Sequence, residues 1–264
     1  SVSRGQSVPN PPDEQMQILA GATQHASIQI RTGFESAANV VQVVEEILGD
    51  EGYEGDVAAT SRSLVQEEMD RLGSEQGGWE HPTDCERFDE AFDELNANGI
   101  LARHHYSCCQ NCGNTEIEIE HHHLVRQGLR PRGSTYYHVQ DTESAVEGGG
   151  LYLAYGAPDG GEATRLIGEE VRETFERHGL TVRWDGTSEK RIAVLMDWKR
   201  PWPPRTPDAV PPEALEAYQA RLKREGTWHG HGAPSGSGPP SASPPPRVER
   251  VTLGGRLRRL FWRS

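Results

Sequence analysis

The chain has 264 residues, with 40 acidic against 27 basic side chains and a formal net charge of −13. Its longest unbroken apolar runs, Leu151 to Tyr155 and Ile192 to Met196, are far shorter than the roughly 20 residues that span a bilayer. Four cysteines are too few for a disulfide scaffold, and residues 1–15 lack the apolar run of a secretory signal. We therefore expect a cytoplasmic protein.

Charge and composition divide the chain near residue 200. Residues 1–200 carry 35 acidic and 17 basic groups, whereas residues 201–264 carry 5 and 10, together with 12 of the 18 prolines. The run from His231 to Pro246 buries too little to offset its backbone entropy, so we expect disorder there. The expected organisation is a flexible arm over 1–24, a single domain over 25–200, and a linker with a basic tail over 201–264.

Apolar residues recur at helical spacing in four stretches, each followed by glycine or closed by Asn-Gly. They predict helices over residues 35–48, 58–72, 84–98 and 162–178. The third follows Thr83, and Glu86 three residues later fits a capping pair. The Asp and Thr in Gln140–Glu143 also indicate a helix start. An alternative interpretation, in which a carboxylate pair of this segment acts in acid/base chemistry beside His138 and Tyr137, receives less weight.

Alternating or continuous apolar residues predict strands between these helices. The predicted strands cover residues 100–106, 115–120, 136–140, 151–155, 180–184 and 191–198, the last two as a hairpin. Because strands and helices do not alternate regularly, we expect an α+β fold. Its helical N-terminal part precedes a mostly antiparallel sheet with one long packed helix, and a disordered Pro/Gly-rich tail follows.

A cysteine cluster is the most chemically specific segment. Cys109-Gln110-Asn111-Cys112-Gly113 resembles a zinc knuckle, which supplies two of the four ligands of a tetrahedral site. We predict that Cys85 and His138 complete a zinc site with Cys109 and Cys112. Other candidate ligands are Cys108, His104, His105 and the triplet His121 to His123, although a solvated location is favoured for that triplet.

Two alternatives compete with zinc. Cys-x-x-Cys is also the spacing of thiol oxidoreductases, whose motif opens a helix that lowers the pKa of the first thiol. The predicted strand over 115–120 argues against this. The other alternative is that all four cysteines are reduced, partly buried side chains without a metal.

A set of motifs extends over about residues 25–200. It consists of Trp79, Thr83 to Phe88, Tyr106 to Gly113, Tyr137 to Glu143, Val146 to Gly156 and Trp184 to Gly186. In these motifs the chain resembles a bacterial domain family of unknown function that is common in filamentous high-GC Gram-positive bacteria. The family carries no established activity, so the resemblance implies a domain boundary and no chemistry.

We expect a non-catalytic binding or interaction module, with no catalytic and no organic-cofactor residues, stabilised by zinc. An acidic inhibitor or immunity-type protein that meets a basic protein partner is one form of it, since residues 1–200 are strongly acidic. The alternative is a metal-dependent hydrolase or thiol oxidoreductase centred on Cys108 to Cys112. Contact with nucleic acid or a membrane is expected only through the basic tail from Arg247 to Ser264.

Overall fold

The computed structural model describes residues 12–203 and 212–225, in which eight helices and five strands follow one another. The elements are α1 Pro12–Thr32, α2 Ala37–Asp50, α3 Val57–Gln76, α4 Asp84–Ala97, β1 Ile100–Arg103, α5 Gln110–Arg126, β2 Gly133–Tyr136, α6 Val139–Val146, β3 Leu151–Gly156, α7 Gly161–Arg177, β4 Thr181–Arg183, β5 Ile192–Leu195 and α8 Pro212–Arg224. None of the helices in these two ranges is long and apolar enough to cross a membrane.

The five strands form one sheet in the order β1-β2-β3-β5-β4. β1 and β2 run parallel and are connected through α5, whereas the other three pairs are antiparallel. This confirms the expected α+β fold with a mostly antiparallel sheet. The hairpin of β4 and β5 and the long helix α7 are also where the sequence predicts them.

Alternating side chains cover the two faces of the sheet with different helices, as the period of two in a strand requires. On one face, Ile100 and Ala102 belong to a core with Phe88 and Phe92 of α4 and Phe175 of α7. On the other face lies a smaller cluster around Leu101, Tyr136 and Ala154, with Ile117 and Leu124 of α5 and Leu215 of α8. Helix α5 is therefore held on the face opposite α4 and α7.

Helices α1, α2 and α3 form a third apolar cluster of their own. Ala22, Ala26 and Ile30 of α1 are fully buried against α2 and α3. Residues 12–24, expected to be part of a flexible arm, therefore lie in a packed helix. Small alanines and scattered polar residues give α1 weak periodicity in the sequence, and its burial depends on two later helices.

The chain beyond residue 200 also departs from expectation. Residues 212–224 form α8, in which Leu215 and Tyr218 are buried, although the whole of 201–264 was expected to be linker and tail. The remaining expectations, for His231 to Pro246 and for the basic tail from Arg247, lie outside the described residues.

A buried ion pair joins the end of the domain to α4. The guanidinium of Arg200 donates to both carboxylate oxygens of Asp89, at 3.0 and 2.6 Å, and only 5% of its side chain is exposed. The same guanidinium lies 4.5 Å from the ring centre of Phe34. Such a desolvated pair is costly to break from one side.

Candidate functional site: a surface thiol cluster

The loop between β1 and α5 carries the cysteines toward the helix in an unusual backbone conformation. His105 and Ser107 have φ values of 47° and 63°, which residues with side chains rarely adopt. The His105 ring stacks on Phe34 with centroids 4.6 Å apart, and its Nδ1 lies 2.8 Å from Oγ1 of Thr142. Burial lowers the pKa of His105 to about 3, so the ring is neutral at pH 7 and acts as a packing group.

Two main-chain hydrogen bonds fasten this loop to the segment that follows β2. The amide of Tyr106 donates to the carbonyl of Tyr137 at 2.8 Å, and the amide of Val139 donates to the carbonyl of Ser107 at 3.1 Å. Because β1 and β2 are parallel neighbours, the two segments that follow them begin at the same end of the strands. The position of the loop is therefore set by contacts distant in sequence.

Helix α5 begins directly within the cysteine motif. Cys109 is its N-cap, in an extended conformation (φ −158°, ψ 172°), and Cys112 is the third helical residue. The expected strand over 115–120 is wrong, because these residues lie inside α5. The Cys-x-x-Cys motif therefore does open a helix, as the motif of thiol oxidoreductases does.

A helical stripe explains why 115–120 does not form a strand. Gly113, Ile117 and Leu124 are buried at intervals of four and seven residues, whereas the side chain of Ile119 is 60% exposed. The alternation of Ile with Glu imitates a strand over only six residues. Over the longer window 113–124, the buried positions follow the helical period.

Tyr136 supports the first turn of α5 from the sheet below. Its hydroxyl lies 3.0 Å from the carbonyl of Gln110 and 2.6 Å from Oδ1 of Asn114. A Cβ atom placed on Gly113 would lie 2.5 Å from the Tyr136 ring. The glycine therefore allows the helix to approach the sheet this closely.

The sulfur atoms of Cys108, Cys109 and Cys112 all lie within 4.8 Å of one another, and we call these three residues the thiol cluster. Cys108 and Cys109 are half-exposed and Cys112 is exposed. Tetrahedral zinc with Zn–S bonds of about 2.3 Å places its sulfurs roughly 3.8 Å apart, so small side-chain rotations suffice. Within the described ranges, the cluster could hold one metal ion on three ligands.

The ionisation of the thiol cluster is strongly uneven. The amide of Cys112 is the largest cause that lowers the pKa of Cys109, as expected where free amides of a helix N-terminus face a thiolate. The thiols of Cys108 and Cys109 raise the pKa of Cys112 to about 12. One thiolate therefore forms readily, and its charge opposes the next. A bound cation would remove that repulsion.

Two of the four predicted zinc ligands do not join this group. Cys85 is fully buried in α4, where burial raises the pKa of its thiol to about 12, and it serves as a small core side chain. Cys108, which the sequence offered as one candidate among several, lies beside Cys109 and Cys112 instead.

The other ligand outside the group, His138, has a local structural role. It is the N-cap of α6, where its Nδ1 accepts a hydrogen bond from the amide of Asp141 at 3.3 Å. Its Nε2 lies 3.1 Å from the Asp141 carboxylate, which also pairs with Arg191 at 2.5 Å. Burial lowers the pKa of His138. A helix therefore starts here, but its N-cap is His138 and not the Asp or Thr expected from Gln140 to Glu143. The strand predicted over 136–140 is wrong beyond Tyr136, where β2 ends.

A cleft with acidic side chains and the histidine triplet of α5 lie apart from the thiol cluster. A cleft of about 450 Å³ is lined by His81, Pro82, Glu86, Asp89, Glu90 and Asp93, without a cysteine. In the triplet on α5, the His122 Nε2 is 3.7 Å from Glu118, and both side chains are mostly exposed. The solvated location favoured for that residue is consistent with this exposure.

Comparison with known families gives a match over most of the chain. The model of a family described as "Domain of unknown function (DUF6891)" matches residues 15–201. No curated protein and no solved structure matches the chain. The match confirms the resemblance to an uncharacterised domain family and begins ten residues before the region in which the sequence motifs were noted.

Proposed function

Because the chain belongs to this family of unknown function, its role has to be argued from the site, and we propose a non-catalytic module that binds one thiophilic metal ion on the thiol cluster. Zinc is the first candidate. The observation that carries the proposal is the convergence of three sulfurs within 4.8 Å at the start of a 17-residue helix. Thiolate ligands select soft or borderline ions such as Zn²⁺ and Cu⁺.

The exposed location of the thiol cluster favours a site that binds and exchanges the ion over a structural zinc site. A structural zinc site is normally closed by four protein ligands, whereas this group offers three, on the surface. The fourth position is then left for a small ligand or for a group on a partner. The three free thiols also suit a reducing compartment, and we place the protein in the cytoplasm.

Charge argues against a hydrolytic metal centre. Three thiolates around Zn²⁺ give the site a net negative charge, which weakens the pull of the metal on a bound water. The cleft of about 450 Å³ beside His81 and Glu86 is lined by none of the three thiols. Binding therefore accounts for the geometry better than hydrolysis does.

Elemental analysis of the full chain, purified under reducing conditions, tests the proposal. We expect about one zinc per chain, and we expect Cys108→Ser, Cys109→Ser and Cys112→Ser each to weaken zinc retention against a competing chelator. Cobalt(II) loading should show thiolate-to-metal charge-transfer absorption that declines in each variant.

Cys85→Ala is the matched control, because it removes a cysteine outside the cluster. This variant should retain zinc as well as the unaltered protein does. A protein with four titratable thiols that neither contains nor takes up zinc or cobalt would refute the proposal.

A further inference from the structure

We propose that Cys109 and Cys112 also form a reversible redox pair, which exchanges with small-molecule disulfides and passes between a dithiol and an intramolecular disulfide. This activity goes beyond metal binding, because it needs two of the three thiols and no ion. The backbone positions of Cys109 and Cys112 support this redox activity.

The two cysteines are placed where a disulfide can close. Cys109 is the N-cap and Cys112 lies one turn later, with the two sulfurs within 4.8 Å. Residues three apart at a helix start have Cα atoms about 5–6 Å apart, inside the range of about 4.4–6.8 Å that disulfides require. The bond therefore forms by side-chain rotation, without unwinding α5.

The third thiol is a poorer partner for Cys109. Consecutive Cα atoms across a trans peptide are about 3.8 Å apart, which is below the separation that an unstrained disulfide needs. Cys108 also lies in the loop, directly after Ser107, whose backbone already has a positive φ of 63°. The separation of consecutive residues therefore excludes a Cys108–Cys109 bond, and the geometry points to Cys109 and Cys112, which lie one turn apart at the start of α5, as the pair.

Cys109 is the residue that attacks. Cys109 is the N-cap of α5, and the free amides of the first helical turn that follow it stabilise negative charge at this end of the helix. Cys109 is half-exposed and Cys112 is exposed, so a small disulfide reaches both. Tyr136 and the 113–117 face of α5 keep that turn in place when the sulfur chemistry changes.

The reaction balances as two exchange steps. The Cys109 thiolate attacks one sulfur of R–S–S–R, forming a mixed disulfide and releasing R–S⁻, which takes a proton from water. Cys112 then loses its proton to water and attacks Sγ of Cys109, so that the mixed S–S bond breaks and a second R–S⁻ leaves. The protein dithiol is oxidised by two electrons, and the small disulfide is reduced to two thiols.

Metal-free full chain, equilibrated in glutathione buffers of increasing disulfide fraction and then alkylated, tests this proposal. Peptide mass mapping should show a Cys109–Cys112 disulfide that appears as a single transition and reverses with reduced glutathione. Cys112→Ser should accumulate a mixed disulfide at Cys109, and Cys108→Ser should still form the intramolecular bond. Cys85 provides an internal control, because its buried thiol should remain reduced.

Two results would overturn the redox pair: a disulfide that maps to Cys108, or no intramolecular disulfide in fully oxidising buffer although the cluster thiols react with the alkylating agent. Both are independent of the metal proposal, because the measurement uses protein without metal. If both proposals hold, zinc-loaded protein should oxidise more slowly than metal-free protein, since the ion occupies the same sulfurs.

Discussion

Gly113→Ala tests whether the fold of the sheet controls the position of the thiol cluster. In a solvent-exposed helix, replacing Gly with Ala stabilises by about 1 kcal/mol. At Gly113 the new methyl group would lie 2.5 Å from the ring of Tyr136, which is only 2% exposed. The Tyr136 ring also packs edge-on against Tyr106, with centroids 5.7 Å apart, so it has little room to rotate.

Overpacking of a buried site costs about 1–3 kcal/mol, and the short contact places this site toward the upper end. After the helical gain of about 1 kcal/mol is subtracted, we expect Gly113→Ala to destabilise the protein by roughly 1–2 kcal/mol. Because the first turn of α5 must move away from Tyr136, zinc affinity should fall as well.

Urea unfolding followed by circular dichroism, together with chelator competition, measures both effects. Gly73→Ala in α3 is the matched control, because no atom apart from its chain neighbours and the local backbone of its own helix lies within 4 Å of the added methyl group. This control should be stabilised by up to about 1 kcal/mol and should keep its zinc affinity. If Gly113→Ala were stabilised as much as Gly73→Ala, the close approach of α5 to the sheet would be disproved.

Two further predictions concern ion pairs that hold the domain together. Arg177 and His178 lower the pKa of Glu94, so its ionised form stabilises the fold above the unfolded pKa of about 4.3 and loses this effect as pH falls through its lower folded value. Glu94→Gln should therefore destabilise the protein at pH 7, and the loss of stability should become smaller below a pH of about 4. Urea titrations at pH 7 and below pH 4 measure this, and a loss that does not depend on pH would contradict it. Asp89→Asn leaves the buried Arg200 charge uncompensated and should lower the free energy of unfolding by about 3 kcal/mol in the same assay. Adding Arg200→Met to this variant should recover part of the loss. If the losses of the two single variants simply add, the ion pair is contradicted.

The periodic elements of this protein can be predicted from the sequence because their information is local. The capping pair of Thr83 and Glu86 marks the start of α4, where the threonine hydroxyl accepts from the Glu86 amide at 3.2 Å and the Glu86 carboxylate accepts from the Thr83 amide at 2.6 Å. The apolar run of β3 and the stripe of α7 are equally local. For these segments, burial follows the same period as the sequence pattern.

The strand predicted over 115–120 and the flexible arm expected over 1–24 show where local information is insufficient. Ile117 and Ile119 alternate with glutamates, yet only Ile117 finds a buried position, because the sheet lies on one side of α5. Helix α1 is held by contacts with α2 and α3, which follow it in the chain. Both segments take their structure from partners distant in sequence.

The sequence by itself determined that a cysteine motif follows an early strand and that an α+β domain surrounds it. Only the tertiary structure decided which sulfurs meet. The hydrogen bonds between the loop at Tyr106 and the segment at Tyr137, and the contact of Tyr136 with Gly113, hold the loop and the helix start that carry Cys108, Cys109 and Cys112. Cys85 is instead in the core, since the packed face of α4 buries it. Spacing along a chain fixes the distance only between near neighbours, and the choice of more distant ligands depends on how the helices pack on the sheet.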